Sequence, residues 1–308
     1  MAQGSTRISK ALTNLTINYT NGKMIAGEVL SDIAVKSESD QYYVFSSDRQ
    51  LPITNRANGS LANMVTWEVS TSTYNLTEHS LKDVITERDL NNAESQLQLR
   101  KVTIENLMEK IMLRQEYEAH KVLFTTTTFS SNATLTSATS MRYVTTTSAP
   151  IQQVLSATSV ILRDSGEMPN KMVTSFHGFS SLKENQNLHE RLKYVQKSVM
   201  TKEILASLFD VESFHVGSAS YNSAKEGQDR VAANVWGNDL LVGYFNPSPG
   251  LRSRTAASTF RQKTFGSPMR VKNWKEDDID GEYIEVNSMY QVKPIATSCA
   301  YLFKTAFL

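Results

Sequence analysis

Cysteine is almost absent from the chain: its 308 residues include one, Cys299. A single thiol excludes an internal disulfide framework and a thiolate metal cage, so stability has to come from packing. An excess of either charge is lacking too, with 32 Lys and Arg against 31 Asp and Glu and a net charge of +1. A protein that grips phosphates through bulk charge needs clustered, unbalanced Lys and Arg, so that class is set aside. No run approaches the ~18 apolar residues that span a bilayer, and residues 1–10 lack the apolar stretch of a signal peptide. The expectation is a soluble protein of a reducing cytoplasm. The Asn-x-Ser/Thr triplets at Asn14, Asn18, Asn58, Asn75 and Asn132 are then by-products of heavy Thr and Asn use.

Glycine is missing between Gly59 and Gly166, and proline between Pro52 and Pro150. Such an interval favours long regular elements. Residues 91–124 read as one helix: Leu97, Ile104, Met108, Ile111 and Val122 share a face, while Arg100, Lys101, Glu109, Lys110 and Arg114 lie off it. About 34 residues give a rod of roughly 50 Å. Four threonines at 125–128 should end it and favour a strand. Upstream, Gln41-Tyr42-Tyr43-Val44-Phe45 and Val65-x-Trp67-x-Val69 read as two strands around a polar, turn-rich tip with Asn58-Gly59. They predict a long hairpin feeding through residues 81–90 into the helix. Leu15-x-Ile17-x-Tyr19 offers a further strand, and residues 2–10 an arm.

Beyond Pro150 the texture is α/β. Ile151, Val154, Leu155, Thr158 and Leu162 fit a helix closed at Gly166, and residues 171–175 a strand. Ser181-x-x-Glu184 predicts a capping box before a helix with Leu188, Leu192 and Val195 inward. Residues 201–209 predict a short helix, followed by strands at 211–220 and 240–245. Asp280-Gly281 predicts a turn into an alternating strand, with closing strands at 290–293 and 297–303.

Catalytic and ligand motifs are missing: there is no phosphate-binding glycine loop, no dinucleotide fingerprint, no H-E-x-x-H and no G-x-S-x-G. His79, His120, His177, His189 and His215 are scattered without ligand spacing, and His120 and His189 are expected to be solvated on helices. The acidic stretch 276–282 misses the register of a calcium loop and favours a hairpin turn. Tyr42-Tyr43, Phe176 and Phe179 read as core rather than base-stacking platforms, and Cys299 as a small core residue. No catalytic residue, cofactor or metal is assigned. The pattern points to an architectural protein, not an enzyme.

The order of elements, an arm, a long hairpin, a very long helix, a middle α/β region and closing strands, resembles the Hong Kong 97-like major capsid proteins of tailed bacteriophages. Residues carrying the likeness are Val65-Thr66-Trp67-Glu68-Val69, the helix at 91–124, the stretches 168–173, 214–221 and 235–241, and the chain from Trp274 onward with Asp280-Gly281. The likeness covers nearly the whole chain and rests on element order more than on any one motif. It implies an α+β fold: an N-terminal arm at 1–40, an E-loop hairpin at 41–90, a P domain with its spine helix at 91–150, an A domain at 151–270, and C-terminal strands at 271–308 completing both domains.

The resemblance implies pentamers and hexamers building an icosahedral shell around double-stranded DNA, contained without reading its sequence. It also implies a virion location after assembly in the bacterial cytoplasm, a portal, a decoration protein, and a separate scaffolding protein because no long scaffolding segment precedes the arm. Arg49, Arg56, Asn58 and Trp67 are the expected intersubunit contacts, the two arginines pairing with carboxylates of a neighbour. Some relatives crosslink the shell through a Lys near the hairpin tip. Between residues 41 and 90 the single Lys is Lys82, far from the tip, so a non-covalent shell is expected. Two alternatives stay open: a tail-tube or sheath subunit, and a cytoplasmic α/β enzyme built on residues 151–244.

Overall fold

The interval without Gly or Pro folds, as its composition favours, into extended elements that tie two β-sheets together. The computed structural model describes residues 7–8, 24–45, 51, 54–64, 69–92, 96–136, 141, 149–192, 200–225, 227–249, 254–262 and 267–307. The first half runs β1 (Arg7–Ile8), α1 (Ala26–Val29), β2 (Ser31–Val35), β3 (Ser39–Phe45), β4 (Val69–Asn75), β5 (Thr77–Thr86), α2 (Glu87–Asn92), α3 (Gln96–Leu123) and β6 (Ser131–Thr134). There follow α4 (Pro150–Ser165), β7 (Lys171–Ser175), α5 (Phe176–Lys183), α6 (Gln186–Leu192), α7 (Lys202–Leu208), β8 (Ser213–Gly217), β9 (Ser220–Asn222) and β10 (Ala232–Asn234). The chain closes with β11 (Leu240–Gly243), β12 (Ala257–Gln262), β13 (Arg270–Glu276), β14 (Gly281–Pro294) and β15 (Ala300–Lys304).

Of the helix expected over 91–124, residues 93–95 lie outside the described residues, with α2 and α3 on either side of them. Thr86 caps α2, its hydroxyl accepting from Asp89 N and donating to the Asp89 carboxylate. Helix α3 then has 28 residues, about 42 Å. Its buried stripe runs Ile104, Leu107, Met108, Ile111, Ala119, Leu123. The first half of that stripe packs with Ile85, Val271, Ile284 and Val286 of one sheet, and the second half with Val173, Leu241 and Leu302 of the other. One helix thereby braces both sheets. The Thr125–Thr128 run forms a turn instead of a strand: Lys304 Nζ donates to Phe124 O, Asn132 Nδ2 to Thr126 O, and pairing begins only at β6.

In the six-stranded sheet, β14 is flanked on opposite edges: β5 pairs along residues 281–290, and β13 and β12 share the other edge. Strand β2 lies parallel to β12, and β1 adds two residues to β13. The alternation predicted after Asp280-Gly281 is present in β14, where Glu282, Ile284 and Val286 point inward. Asp280 takes the left-handed conformation (φ 46°), so the turn is a hairpin. Residues 81–90, expected as a connector, instead belong mostly to β5, whose polar outer face hides its strand character.

The five-stranded sheet has the order β6-β15-β11-β7-β8. Leu240 and Val242 of its central strand face helices α4, α5 and α7, while Leu241 faces the side of α3. Burial on both faces explains the unbroken apolar run at 240–242. Helix α4 follows the expected bounds and ends at Gly166 (φ 73°), but Ile151, Val154, Ala157 and Ile161 face the core while Leu155 and Leu162 remain exposed. The expected capping box is absent: Ser181 lies inside α5, and Asn185 caps α6 by accepting from Asn187 N. Leu15 to Tyr19 and Val195 lie outside the described residues, and of the Leu192 side chain nothing is described.

Sheet membership crosses the expected segment boundaries. Strand β12, within 151–270, joins the six-stranded sheet, while β6, within 91–150, joins the five-stranded one. Residues 1–40 contain two paired strands and a helix, not an arm alone.

Candidate intersubunit surfaces

Among the described residues, strands β3 and β4 pair only with each other, from Ser39 opposite Asn75 to Phe45 opposite Val69. Of the second strand expected at 65–69, residues 65–68 lie outside the described residues, and Val69 opens β4, which runs on to Asn75. The ribbon is bolted to the six-stranded sheet at its root. Tyr74 stacks on Phe260 at 4.9 Å, Tyr42 meets the same ring at 5.1 Å, and Asn75 N donates to Gln291 Oε1 at 2.9 Å.

Toward the tip this anchoring ends. Residues 54–64 are all exposed, and a turn at Asn58-Gly59, with Gly59 at φ 80°, is held by Ser60 N and Oγ on Ala57 O. Arg56 and Asn58 sit on this exposed stretch, while Arg49 and Trp67 lie outside the described residues. What residue-by-residue reading missed is apolar: Leu51, Leu61 and Met64 are 97%, 94% and 89% exposed. Burying such a side chain is worth about 1.5–3 kcal/mol. The signal was present as three large aliphatic residues within a turn-rich segment otherwise read as polar.

A second open surface is the face of the six-stranded sheet turned away from α3. Trp274 and Tyr283 lie 5.4 Å apart there, Lys82 Nζ sits 4.6 Å over the Tyr283 ring, and Lys272 pairs with Glu285 at 3.4 Å. Lys82, the single lysine of residues 41–90, is thus held in the sheet.

Behind these surfaces, polar clamps fix the long helix. Arg100 pairs with the buried Glu282 at 2.8 Å, and Glu282 also accepts from Asn273. The buried Arg261 donates to Asp32, Ser288 and Gln115. The Glu116 carboxylate, fully buried, accepts from Ile25 N, Ala26 N and Trp236 Nε1 at 2.7–2.9 Å. Burial pushes its pKa upward, against those three hydrogen bonds.

The histidines divide. His177 and His189 are exposed, whereas His120, expected to be solvated, packs on Phe124 and Trp236. Ser213, His215 and Glu28 line up in the order of a nucleophile, base and carboxylate, at 3.0 and 3.3 Å. The Glu212 and Ser213 N–H groups, however, both donate to Asn170 O, so neither is aimed at an oxyanion. Among the described residues no group of three or more His, Cys, Asp or Glu is arranged to hold a metal ion, and no helix is long and apolar enough to cross a membrane.

No protein-family model matches the chain. Over its whole length, however, the architecture is shared with solved proteins. A phage-related protein from Bordetella bronchiseptica superposes with a TM-score of 0.79 at 20% identity, covering 99% of both chains. A mature capsid subunit of bacteriophage PhiM1 gives a TM-score of 0.56 at 13% identity, covering 93% of this chain and 87% of that one. The fold is therefore the Hong Kong 97-like capsid fold, an α+β architecture. In sequence the chain is a relative of phage major capsid proteins: that of Burkholderia phage BcepMu is 26% identical over 267 residues, 86% of this chain and 84% of the relative.

Proposed function

We propose that the protein is a phage major capsid protein whose copies assemble as pentamers and hexamers into a closed icosahedral shell around double-stranded DNA. The observation that carries this reading is the projecting hairpin, anchored at its root and tipped with Leu51, Leu61 and Met64, which a second copy has to cover. Similarity to named capsid proteins over most of the chain gives the same direction. Arg56 and Asn58 then flank an apolar anchor, with Arg49 and Trp67 the further contacts expected on the same loop. A net charge of +1 suits a wall that contains DNA without clamping it.

In this reading the five-stranded sheet with α4 to α7 is the A domain, the six-stranded sheet with α3 the P domain, and residues 41–90 supply the E-loop. A separate scaffolding protein, a portal and a decoration protein are the expected partners, and the virion, assembled in the host cytoplasm, the location. A tube or sheath subunit would leave the long helix bracing two sheets without a purpose.

Electron microscopy of the protein, expressed alone and together with a candidate scaffolding protein, tests the reading. Rings and closed shells are expected; a strict monomer or dimer at every concentration contradicts it. With Lys82 held over Tyr283, far from the tip, the shell is expected to be non-covalent. Boiled in detergent, particles should give one band near 34.5 kDa; a ladder of five- and six-subunit products would overturn that.

A further inference from the structure

Strand β5 is a long sheet edge held firmly in place. Its ten residues pair with β14 on one side, and among the described residues no strand pairs on the other. Ile85 packs under α3, so the strand is seated without a further partner. The direction of its backbone groups follows from the register. Glu87 N donates to Asp280 O, which turns the odd-numbered residues toward β14, and unbroken pairing down to Thr77 carries that phase along the strand. The N–H and C=O groups of Glu78, Ser80, Lys82 and Val84 therefore point outward from the edge. Val84 N is taken by the Asp83 carboxylate at 2.9 Å, which closes the edge at that end. Glu78, Ser80 and Lys82 are exposed.

We propose that this edge pairs antiparallel with β5 of a second copy about a two-fold axis at Ser80, so that Glu78 of each copy faces Lys82 of the other. An open edge is a template for another strand, and charge scattered along it keeps other chains away. Here the charges are self-complementary instead, because Glu78 and Lys82 stand two residues to either side of Ser80. Lys82 lies 4.6 Å over the Tyr283 ring and has no ion pair among the described residues. Glu78 accepts from Asn287 Nδ2 and stands 3.8 Å from Arg270.

With the axis at Ser80, the outward-pointing backbone groups of the two strands meet, and each facing pair exchanges two hydrogen bonds. Both Glu78–Lys82 pairs set opposite charges directly across from one another. Moving the axis by one or two residues loses this match. Centred on Leu81, it sets Glu78 opposite Val84 and Lys82 opposite Ser80; centred on Lys82, it sets lysine against lysine; centred on His79, it sets Lys82 opposite Leu76. Leu81, 39% exposed, is covered in the Ser80 register by His79 of the second copy. The axis stands perpendicular to the sheet, so α3 lies on the same face in both copies, as a wall with an inside and an outside requires. The inference deepens the shell reading and rests on it, since two-fold axes relate neighbouring rings of an icosahedral shell.

Disulfide trapping tests it. Facing Cα atoms of a hydrogen-bonded antiparallel pair lie about 5.5 Å apart, within disulfide reach. Oxidised both in concentrated solution and under assembly conditions, the S80C variant should give a two-chain product; the native Cys299 is fully buried and adds no background. E78C and K82C should each stay single when oxidised alone and should link when mixed. Adding E78K to S80C should lower the linked yield by about tenfold, and adding E78K/K82E should restore it. S80C replaces one exposed side chain, so its result does not depend on how the charge variants fold. S80C subunits that stay unlinked, in shells or out of them, overturn the inference, and where shells form nonetheless the shell reading stands. Linkage through S80C in subunits that never close into shells supports the inference and counts against that reading. Linkage of K82C alone as strong as that of S80C, or no recovery in the exchanged variant, overturns the register.

Discussion

The two sheets differ in how they are covered, and the difference separates what folds the subunit from what it offers to others. The five-stranded sheet is buried on both faces, with Met172, Leu240 and Val242 on one side and Val173, Leu241 and Leu302 on the other. The six-stranded sheet is covered unevenly: one face packs under α3, while the other is covered by the ribbon root at Phe260 and left half-exposed around Trp274 and Tyr283. Ile85, Val271, Ile284 and Val286 lie beneath α3, whereas Trp274, Tyr283 and Lys82 look outward, and the ribbon rooted in this sheet carries the exposed tip. Apolar surface left open in a fixed position is interaction surface. Substitutions in the first sheet should unfold the subunit, and those at the tip of the ribbon should leave it folded and alone.

The largest effect is expected at the doubly buried strand. Leu241→Ala opens a cavity between the sheet and α3 and should cost about 3–4 kcal/mol, read from denaturant unfolding. Next, Glu282→Ala removes the carboxylate that receives Arg100 and Asn273, a loss of about 2 kcal/mol on the same assay. A change under 0.5 kcal/mol would mean that this clamp does not hold the start of α3. Smallest in energy, yet sharp as a probe, is the fully buried Cys299, whose thiol burial pushes above its usual pKa. A thiol reagent should label it only at the rate of unfolding, and immediate labelling of the native subunit would show the five-stranded core to be open.

What could be read in advance depended on which physics dominated locally. Residues 171–175, the turn at Asp280-Gly281 and the Gly166 helix end were legible because pattern and turn chemistry agree there. Strand β5 was not, because its exposed face is polar and its partner β14 lies about 200 residues away. The start of α2 is set by the Thr86 cap, a local hydrogen bond that lies outside the apolar periodicity of the long helix. At the candidate surface, the hairpin itself was legible, but Leu51, Leu61 and Met64 were hidden within a polar average. The partial burial of His120 arises from tertiary contact with Trp236, which helix periodicity does not encode.

The central claim is that the hairpin tip is apolar for the sake of another copy. It is tested most directly by the triple variant L51S/L61S/M64S, followed in parallel by denaturant unfolding and by electron microscopy under assembly conditions. The account predicts an unfolding free energy within about 0.5 kcal/mol of the wild type, together with the loss of rings and shells. Shells formed as by the wild type would contradict it, and so would a subunit that no longer unfolds cooperatively, since the tip would then belong to the core.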